Sequence, residues 1–301
     1  NGQSIIDECA HCYVVKDAGD DPDVTHGIEL HAELSRCDGS GLQIVAGTGI
    51  GRVTKPGLAV AVGQAAINPV PRQMIEQAVA AVFPVETGLQ LTLSIPDGEQ
   101  RAEKTLNARL GIIGGLSLLG TTGVVRPISH QAWTDTLEVA LDVAVAAGAE
   151  PVVLSTGRTS ELAAQRHFSL ADEAYVMMGD FIGYTLEACH RKGVTQLALS
   201  GQFAKLLKIA CGHPQTHVRH SQLDLQQLRG WAEEIGLDAV ECQQLELANT
   251  ARQVFEEFGA DSALVERVGQ EALSLCQRQL PGTDVELLLI DYQGQVAKVF
   301  A

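Results

Sequence analysis

Hydrophobic and polar positions alternate in short runs through the first half of the chain, with glycine and proline between the runs. Residues 27–34, GIELHAEL, alternate with a period of two, which is typical of a half-buried strand. Similar apolar runs at 12–15, 42–46 and 89–95 also predict strands. Pro71 precedes a stretch at 72–82 that predicts a helix. This half therefore reads as an α+β domain.

The pattern changes after a long helix predicted at 129–147, which Gly148 ends. Apolar runs at 151–154, 175–178 and 195–199 then alternate with helical stretches. Apolar strands separated by helices are typical of right-handed crossovers in a parallel sheet. We predict an α/β chain with two domains, an α+β domain at 1–147 and a Rossmann-like domain at 148–301. The latter ends in helices and a hairpin near 285–300.

Glycines concentrate in two segments, 47–51 (GTGIG) and 111–127. The first follows a predicted strand, as a dinucleotide-binding loop does, but Pro56 and Gly57 prevent the helix that such a loop must open. We therefore reject the dinucleotide interpretation. The density of glycine predicts close backbone approach or positive φ angles instead of a regular helix.

Composition limits the class of protein. The 301 residues carry a formal charge of −16, which disfavours nucleic acid and anionic membranes as partners. Seven scattered cysteines do not suggest a disulfide framework, and we expect a reducing, cytoplasmic location. No apolar run approaches the roughly 20 residues of a membrane span.

An acidic stretch, residues 16–27, reads KDAGDDPDVTHG. An EF-hand that began at Asp17 would need a glutamate at its twelfth position, where Ile28 stands, so calcium binding is not supported. The open alternatives are an Asx-type turn, in which carboxylates accept backbone N–H groups, and an acid/base centre that includes His26.

Cys211, His213, His217 and His220 have a spacing compatible with a zinc site, although Pro214 interrupts it. Histidines placed for hydrogen bonding or protonation near a pocket remain the other possibility. We predict no metal centre here.

Parallel sheets bind ligands at the carboxyl ends of their strands. The second domain places polar and glycine residues at those ends, namely Thr156, Gly157, Arg158, Gly179, Asp180 and Gly201. Two classes stay open at this point: an enzyme with a nucleotide-like cosubstrate, and a non-catalytic protein that binds a small anion.

Seven segments together resemble one family. In order they are KDAGDDPDVTHG, GTGIGRVTKPGL, INPVPRQMI, GIIGGLSLLGTTGVVRP, LSTGRTSE, VMMGDFIGYTLE and GHPQTH. They are similar to segments of the cobalt-precorrin-5B C(1)-methyltransferases of anaerobic cobalamin biosynthesis, and the likeness covers nearly the whole chain. Members begin with a Thr/Gly-rich segment that has no counterpart before Asn1, so we expect an N-terminal segment to be lacking.

The resemblance implies methyl transfer from S-adenosylmethionine to carbon 1 of cobalt-precorrin-5B, with cobalt present only in the substrate. The rule that parallel sheets bind ligands at their strand ends then predicts S-adenosylmethionine at the strand ends of the second domain. Proton acceptors would come from His213, His217, His26 or Asp17. Substrate carboxylates call for cations, and the family-matching motifs contain Arg52, Lys55, Arg72 and Arg126. The alternatives are a nucleotide-dependent corrin reductase and a tetrapyrrole carrier.

Overall fold

The structure, a computed structural model, describes residues 2–6, 9–19, 23–120, 123, 130–217 and 225–301. It divides into two compact units, Asn1–Trp133 and Thr134–Ala301. Each unit is described by itself.

The first unit is built mainly on strands. In chain order its elements are β1 (Gly2–Ile6), β2 (Cys9–Val15), β3 (Glu29–Arg36), β4 (Gly41–Ala46), β5 (Gly49–Ile50), β6 (Arg52–Val53), α1 (Pro69–Ala80), β7 (Gly88–Ser94), α2 (Gly98–Ala102), β8 (Ile112–Ile113) and β9 (Gly115–Leu116). The predicted strands and the helix α1 are present, with boundaries shifted by a few residues. The short elements β5, β6, α2, β8 and β9 were not predicted.

A five-stranded sheet with the order β1-β2-β3-β7-β4 forms the centre of this unit. Its pairs are antiparallel except for β4 with β7. Alternate residues of the strands turn to one face, so that Leu91 and Leu93 lie buried with Ile95, Ile50 and Ile67. The period of two seen in the sequence therefore corresponds to a sheet with one covered face.

Glycine permits close backbone contact between β5, β9 and α2. A Cβ atom on Gly49 would lie 1.9 Å from the carbonyl oxygen of Ile95, and one on Gly115 would lie 2.2 Å from the Gly49 carbonyl carbon. Gly49 also has a φ of +71°, which disfavours any side chain. The prediction of close approach is confirmed, and the GTGIG segment opens no helix.

The second unit contains the long helix and the alternating elements. They are α3 (His130–Ala146), β10 (Val152–Ser155), α4 (Arg158–Phe168), β11 (Tyr175–Met177), α5 (Ile182–Arg191), β12 (Gln196–Gln202), α6 (Phe203–Ala210), α7 (Leu225–Glu234), α8 (Ala239–Leu247), α9 (Ala251–Phe258), α10 (Ala263–Gln279), β13 (Asp284–Ile290) and β14 (Val296–Phe300). The α/β class is confirmed, and β13 and β14 form the expected antiparallel hairpin.

The sheet of this unit has the order β11-β10-β12-β13-β14. All neighbours are parallel except the β13–β14 pair. Counted from β10, the order is 2-1-3-4-5, which differs from the 3-2-1-4-5-6 order of a dinucleotide-binding Rossmann sheet. The order reverses between β10 and β12. Ligands of open α/β sheets bind at such a switch point, so topology alone marks the carboxyl ends of these two strands.

The predicted division after residue 147 falls at the far end of α3. In the structure the division lies near the start of this helix, because its apolar face packs into the core of the second unit through Leu137, Leu141 and Ala144. Within the described residues, no helix combines the length and apolar character that crossing a membrane requires.

Candidate functional site

The carboxyl ends of β10 and β12 meet at the switch point of the second unit. The backbone N–H of Thr156 donates to the carbonyl of Ser200 at 3.1 Å. A Cβ on Gly201 would lie 3.3 Å from the Cγ2 atom of Thr156. The structure therefore brings Thr156, Gly157 and Gly201 together at one edge.

Gly157 caps α4 and lies beside open space. Its φ of 175° is ordinary extended backbone, and a Cβ there would meet no atom within 4 Å. The hydroxyl of Ser160 is bound to the Gly157 backbone, as it accepts from N–H at 3.1 Å and donates to C=O at 2.9 Å. Two hydrogen bonds therefore hold the start of α4, and the space at the Cβ position of Gly157 stays open.

Arg158 projects from the first turn of α4. Its side chain is 62% exposed, and Nη1 donates to Oε2 of Glu161, a carboxylate that is fully buried. This pairing orients the guanidinium plane, and the exposed remainder of the group can donate to an anion. The positive end of the helix dipole reinforces the preference for negative charge at this place.

A buried hydroxyl lies at the same edge. Ser155, the last residue of β10, is completely buried, and among the described residues its Oγ has no hydrogen-bond partner. The next strand approaches it, because the N–H groups of Met178 and Gly179 donate to the Ser155 carbonyl at 3.0 and 3.3 Å. Gly179, with a φ of +60°, makes the turn away from β11.

Asp180 is the charged centre of the loop that follows β11. Its Oδ1 accepts from Lys205 and, at 2.7 Å, from the hydroxyl of Thr216. Burial raises its pKa, but these hydrogen bonds and the nearby charges of Lys205 and His217 outweigh that effect and hold the pKa below its ordinary value. Asp180 is therefore an ionised carboxylate. The hydrogen bonds that its side chain makes with other described side chains all go to Oδ1.

The histidine segment after α6 reaches this edge through Thr216. The backbone N–H of Thr216 donates to the Asp180 carbonyl at 3.0 Å, and Lys208 donates to the Thr216 carbonyl at 2.9 Å. Lys208 is buried, and burial together with the neighbouring Lys205 lowers its pKa. His213 is half-buried and His217 is exposed, so both lie on a loop that is tied to Asp180.

The acidic stretch of the first unit forms two Asx turns. Oδ1 of Asp17 accepts the N–H of Gly19 at 2.9 Å, and Oδ1 of Asp23 accepts the N–H of Thr25 at 2.8 Å. The Asx alternative is thereby confirmed for these two carboxylates. Asp20 and Asp21 lie outside the described residues.

Lys16, the first residue of the acidic stretch, binds two side chains further along it. Its Nζ pairs with Oδ2 of Asp23 at 2.5 Å and also donates to the hydroxyl of Thr25. Burial raises the pKa of Asp23, but the hydrogen bonds from Lys16 and Thr25 outweigh burial. The pKa therefore lies below its ordinary value. The carboxylate thus remains ionised and serves the shape of the loop.

His26 has a defined proton position. Its Nδ1 accepts the backbone N–H of Ala18 at 3.1 Å, so the neutral ring carries its proton on Nε2. A ring in this state presents an N–H donor to solvent and not a basic lone pair. The role of His26 as a proton acceptor stays a prediction.

The predicted substrate cations have different local contacts in the described part of the chain. Arg52 donates to the carbonyl of Gly63, and the stem of Lys55 packs against Gly111, where a Cβ would meet it at 2.5 Å. Arg72 lies half-buried in the first turn of α1, and Arg126 falls outside the described residues. Within the part of the chain that the structure describes, no group of three or more His, Cys, Asp or Glu side chains is arranged to hold a metal, and His220 lies beyond it.

Sequence reasoning missed several residues at these sites. Lys205 and Thr216 hydrogen-bond to Asp180, and Lys208 holds the Thr216 carbonyl. Arg101 holds the acidic stretch through the carbonyls of Val24 and His26. A spacing of three or four residues along a helix was the available signal, since it puts Lys205 and Lys208 on one face of α6. Ser155 gave none, because a serine that ends an apolar strand is ordinary.

Comparison with known proteins places the chain in a family. Residues 2–127 match the family model described as CbiD, and residues 215–298 match the model described as CbiD, C-terminal domain. The cobalt-precorrin-5B C(1)-methyltransferase of Geobacter sp. strain M21 is 52% identical over 98% of this chain and 85% of its own length. The protein of the same name from Geobacter metallireducens is 54% identical with the same coverage.

A solved structure is also similar. It is described as the cobalamin biosynthesis protein cbiD from Archaeoglobus fulgidus, with 28% identity, a TM-score of 0.31, and coverage of 66% of this chain and 62% of that one. The relatives that are about half identical over nearly the full length confirm the resemblance seen in the motifs. The chain belongs to the cobalt-precorrin-5B C(1)-methyltransferase family and is a methyltransferase, whose activity requires a methyl donor.

Proposed function

We propose that this chain transfers the methyl group of S-adenosylmethionine to carbon 1 of cobalt-precorrin-5B, with cobalt-precorrin-6A and S-adenosylhomocysteine as products. The observation that carries the proposal is the identity of 52% over 98% of the chain to a protein named for this reaction. The open, polar switch point of the second unit supports it, because it offers an anion-binding helix start next to a fixed carboxylate.

The donor supplies an activated methyl group, and so no protein nucleophile is required. An electron pair of the ring carbon forms the new C–C bond while the S–C bond breaks and its electrons return to sulfur. The sulfonium becomes a neutral thioether. What the protein contributes is alignment of donor and acceptor, which can provide several kcal/mol.

The second unit holds the donor in this proposal. Arg158 and the first turn of α4 bind the methionine carboxylate, since both favour negative charge. Asp180 accepts the ribose hydroxyls through Oδ2, because its Oδ1 is already bound to Lys205 and Thr216. The open space at Gly157 and the polar groups of Thr156, Gly179 and Gly201 complete the contact surface. The Oγ of Ser155, which has no hydrogen-bond partner among the described residues, fits a polar ligand at the same edge.

Proton transfer is assigned to the exposed polar loops. Where the ring must lose a proton, we assign the acceptor role to His213 and His217, which lie on the loop that Thr216 ties to Asp180. Asp17 is an exposed carboxylate whose Oδ1 accepts from Gly19. Arg52, Lys55, Arg72 and Arg126 remain the proposed partners of substrate carboxylates.

Calorimetry with S-adenosylhomocysteine tests the donor site. The wild-type chain should bind it, whereas a reductase or a carrier should not. Arg158→Gln should weaken binding about tenfold, since one charge-assisted hydrogen bond is lost. Arg278→Gln is the matched control, because Arg278 is an exposed arginine of the same unit outside the proposed site. Absence of binding to the wild-type chain would refute the donor site.

A further inference from the structure

Four polar residues that are not part of the proposed donor site lie along one side of α2, from the residue before it to the turn after it. Asp97, Gln100, Arg101 and Lys104 are spaced by three, one and three positions, which places them on the same side of a helical turn. Together with Val24 they line a cavity of about 400 Å³. This volume lies within the range of roughly 300 to 1,000 Å³ that small-molecule sites occupy.

Arg101 is held in place at the wall of this cavity. Its Nε donates to Oδ2 of Asp97 at 2.5 Å, and Nη1 donates to the carbonyls of Val24 and His26 at 2.6 and 2.9 Å. A guanidinium fixed by three hydrogen bonds loses little further entropy when it meets an anion. The cation is therefore preorganised.

Lys104 is the second cation that lines the cavity. Its backbone N–H donates to the Arg101 carbonyl at 3.0 Å, so the side chain leaves the turn directly after α2. The residue is exposed, and its ammonium has no ion pair or hydrogen bond with any described residue. A lysine that lines a cavity without a protein partner can offer its charge to a ligand.

The sign of the charge identifies the ligand class. The lining contains two cations and one carboxylate, and that carboxylate is already bound to Arg101. The local charge is positive in a chain whose formal charge is −16. The amide of Gln100 adds a neutral donor. A carboxylate matches this set, because it accepts hydrogen bonds from both cations.

We propose that this cavity binds a carboxylate side chain of the tetrapyrrole substrate, with Lys104 and Arg101 as its partners. The assignment rests on the proposed function for the identity of the ligand. It adds two substrate-binding residues to the predicted cations. A carboxylate bound to Arg101 would stabilise this side chain, which in turn holds the carbonyls of Val24 and His26. The proposal therefore links the acidic stretch to substrate binding.

The test compares three probes by calorimetry. Cobyrinic acid is a corrin with free carboxylates, its methyl ester lacks these charges, and S-adenosylhomocysteine carries the only other carboxylate in the proposed reaction. Lys104→Gln should weaken binding of cobyrinic acid about tenfold, as expected for one lost charge-assisted hydrogen bond. Binding of the ester and of S-adenosylhomocysteine should not change.

Arg36→Gln is the matched control, because Arg36 is an exposed arginine of the same unit that lines no part of the cavity. It should leave the affinity for cobyrinic acid unchanged. Equal weakening by Arg36→Gln would reduce the effect to general electrostatics and overturn the proposal. So would unchanged affinity in Lys104→Gln, a loss confined to S-adenosylhomocysteine, or no binding of cobyrinic acid to the wild-type chain.

Methyl transfer separates this proposal from the proposed function. If the wild-type chain methylates cobalt-precorrin-5B and Lys104→Gln keeps the same KM, the reaction is correct and the carboxylate site is wrong. A raised KM with a similar kcat supports the site. Thermal unfolding should be the same for both proteins, since the Lys104 ammonium makes no ion pair or hydrogen bond with a described residue.

Discussion

Nη1 of Arg101 donates a hydrogen bond to the carbonyl oxygen of His26 at 2.9 Å, across 75 positions of the chain. The same nitrogen bonds the carbonyl of Val24 at 2.6 Å. One side chain of α2 thus fixes the part of the acidic stretch that contains the exposed His26 ring.

Arg101→Lys should loosen this stretch while it keeps the positive charge. A lysine ammonium cannot reproduce the planar, forked contacts to Asp97 and to the two carbonyls. We expect faster hydrogen exchange at the amides of His26 and Gly27, which bond to Asp23 and Lys16 carbonyls at 3.0 and 2.9 Å. Arg36→Lys is the control. Unchanged exchange in Arg101→Lys would show that the hydrogen bonds do not hold the stretch.

Two aspartates of the stretch should respond differently to amidation. Asp17→Asn keeps an oxygen that can accept the Gly19 N–H, so its effect on stability should be small. Asp23→Asn removes the charge that pairs with Lys16 and should cost about 1 kcal/mol. Thermal unfolding of the two variants measures the difference. A loss of stability in Asp17→Asn as large as in Asp23→Asn would contradict the assignment of these turns.

Gly49 should not tolerate alanine. A Cβ there would lie 1.9 Å from the Ile95 carbonyl, and the φ of +71° adds backbone strain. Gly63 is a matched control, since its φ is +87° but no atom lies within 4 Å of the Cβ position. We expect a loss of about 1 kcal/mol for Gly63→Ala and at least about 3 kcal/mol for Gly49→Ala. Urea denaturation measures the free energy of unfolding of both variants. Equal losses would mean that the close contact with the Ile95 carbonyl does not contribute.

Glu138 should make stability depend on pH. It accepts hydrogen bonds from Tyr184 at 2.8 Å and from Arg191 at 2.5 Å, and Lys192 lies 2.8 Å away. Burial raises its pKa, but hydrogen bonds from Lys192, Tyr184 and Arg191 outweigh burial and lower it from 4.5 to about 2. These contacts join α3 to α5 within the second unit.

A lowered folded-state pKa stabilises the protein above the unfolded-state value, and the stabilisation is lost as the pH falls through the folded-state value. Glu138→Gln should therefore lower stability by about 2 kcal/mol at neutral pH, after allowance for solvent screening. The difference from wild type should begin to shrink near pH 4.5 and disappear near pH 2. A difference that does not vary with pH would contradict the shift.

The sequence predicted the regular elements better than the contacts between them. Alternation located β3 and β7, and the helix-ending Gly148 located the end of α3, because these signals are local. The five-residue α2 has too few positions to show a helical period, and β5 and β9 have two residues each. These elements form through tertiary contact, so no local pattern reveals them.

The candidate sites likewise contain residues that the sequence could predict and contacts that it could not. The strand-end residues Thr156, Gly179 and Asp180 follow from topology and could be named in advance. The tie from Arg101 to His26 joins residues far apart in sequence, and the hydrogen bond that fixes the His26 proton depends on a loop conformation. Neither has a signature in a single sequence.

Transfer of a labelled methyl group tests the central claim most directly. The chain is incubated with cobalt-precorrin-5B and carbon-13 methyl-labelled S-adenosylmethionine, and the product is examined by mass spectrometry and NMR. Our account predicts one labelled methyl group at carbon 1 of the ring, with equimolar S-adenosylhomocysteine. Unlabelled ring product, or label at another ring position, would contradict it.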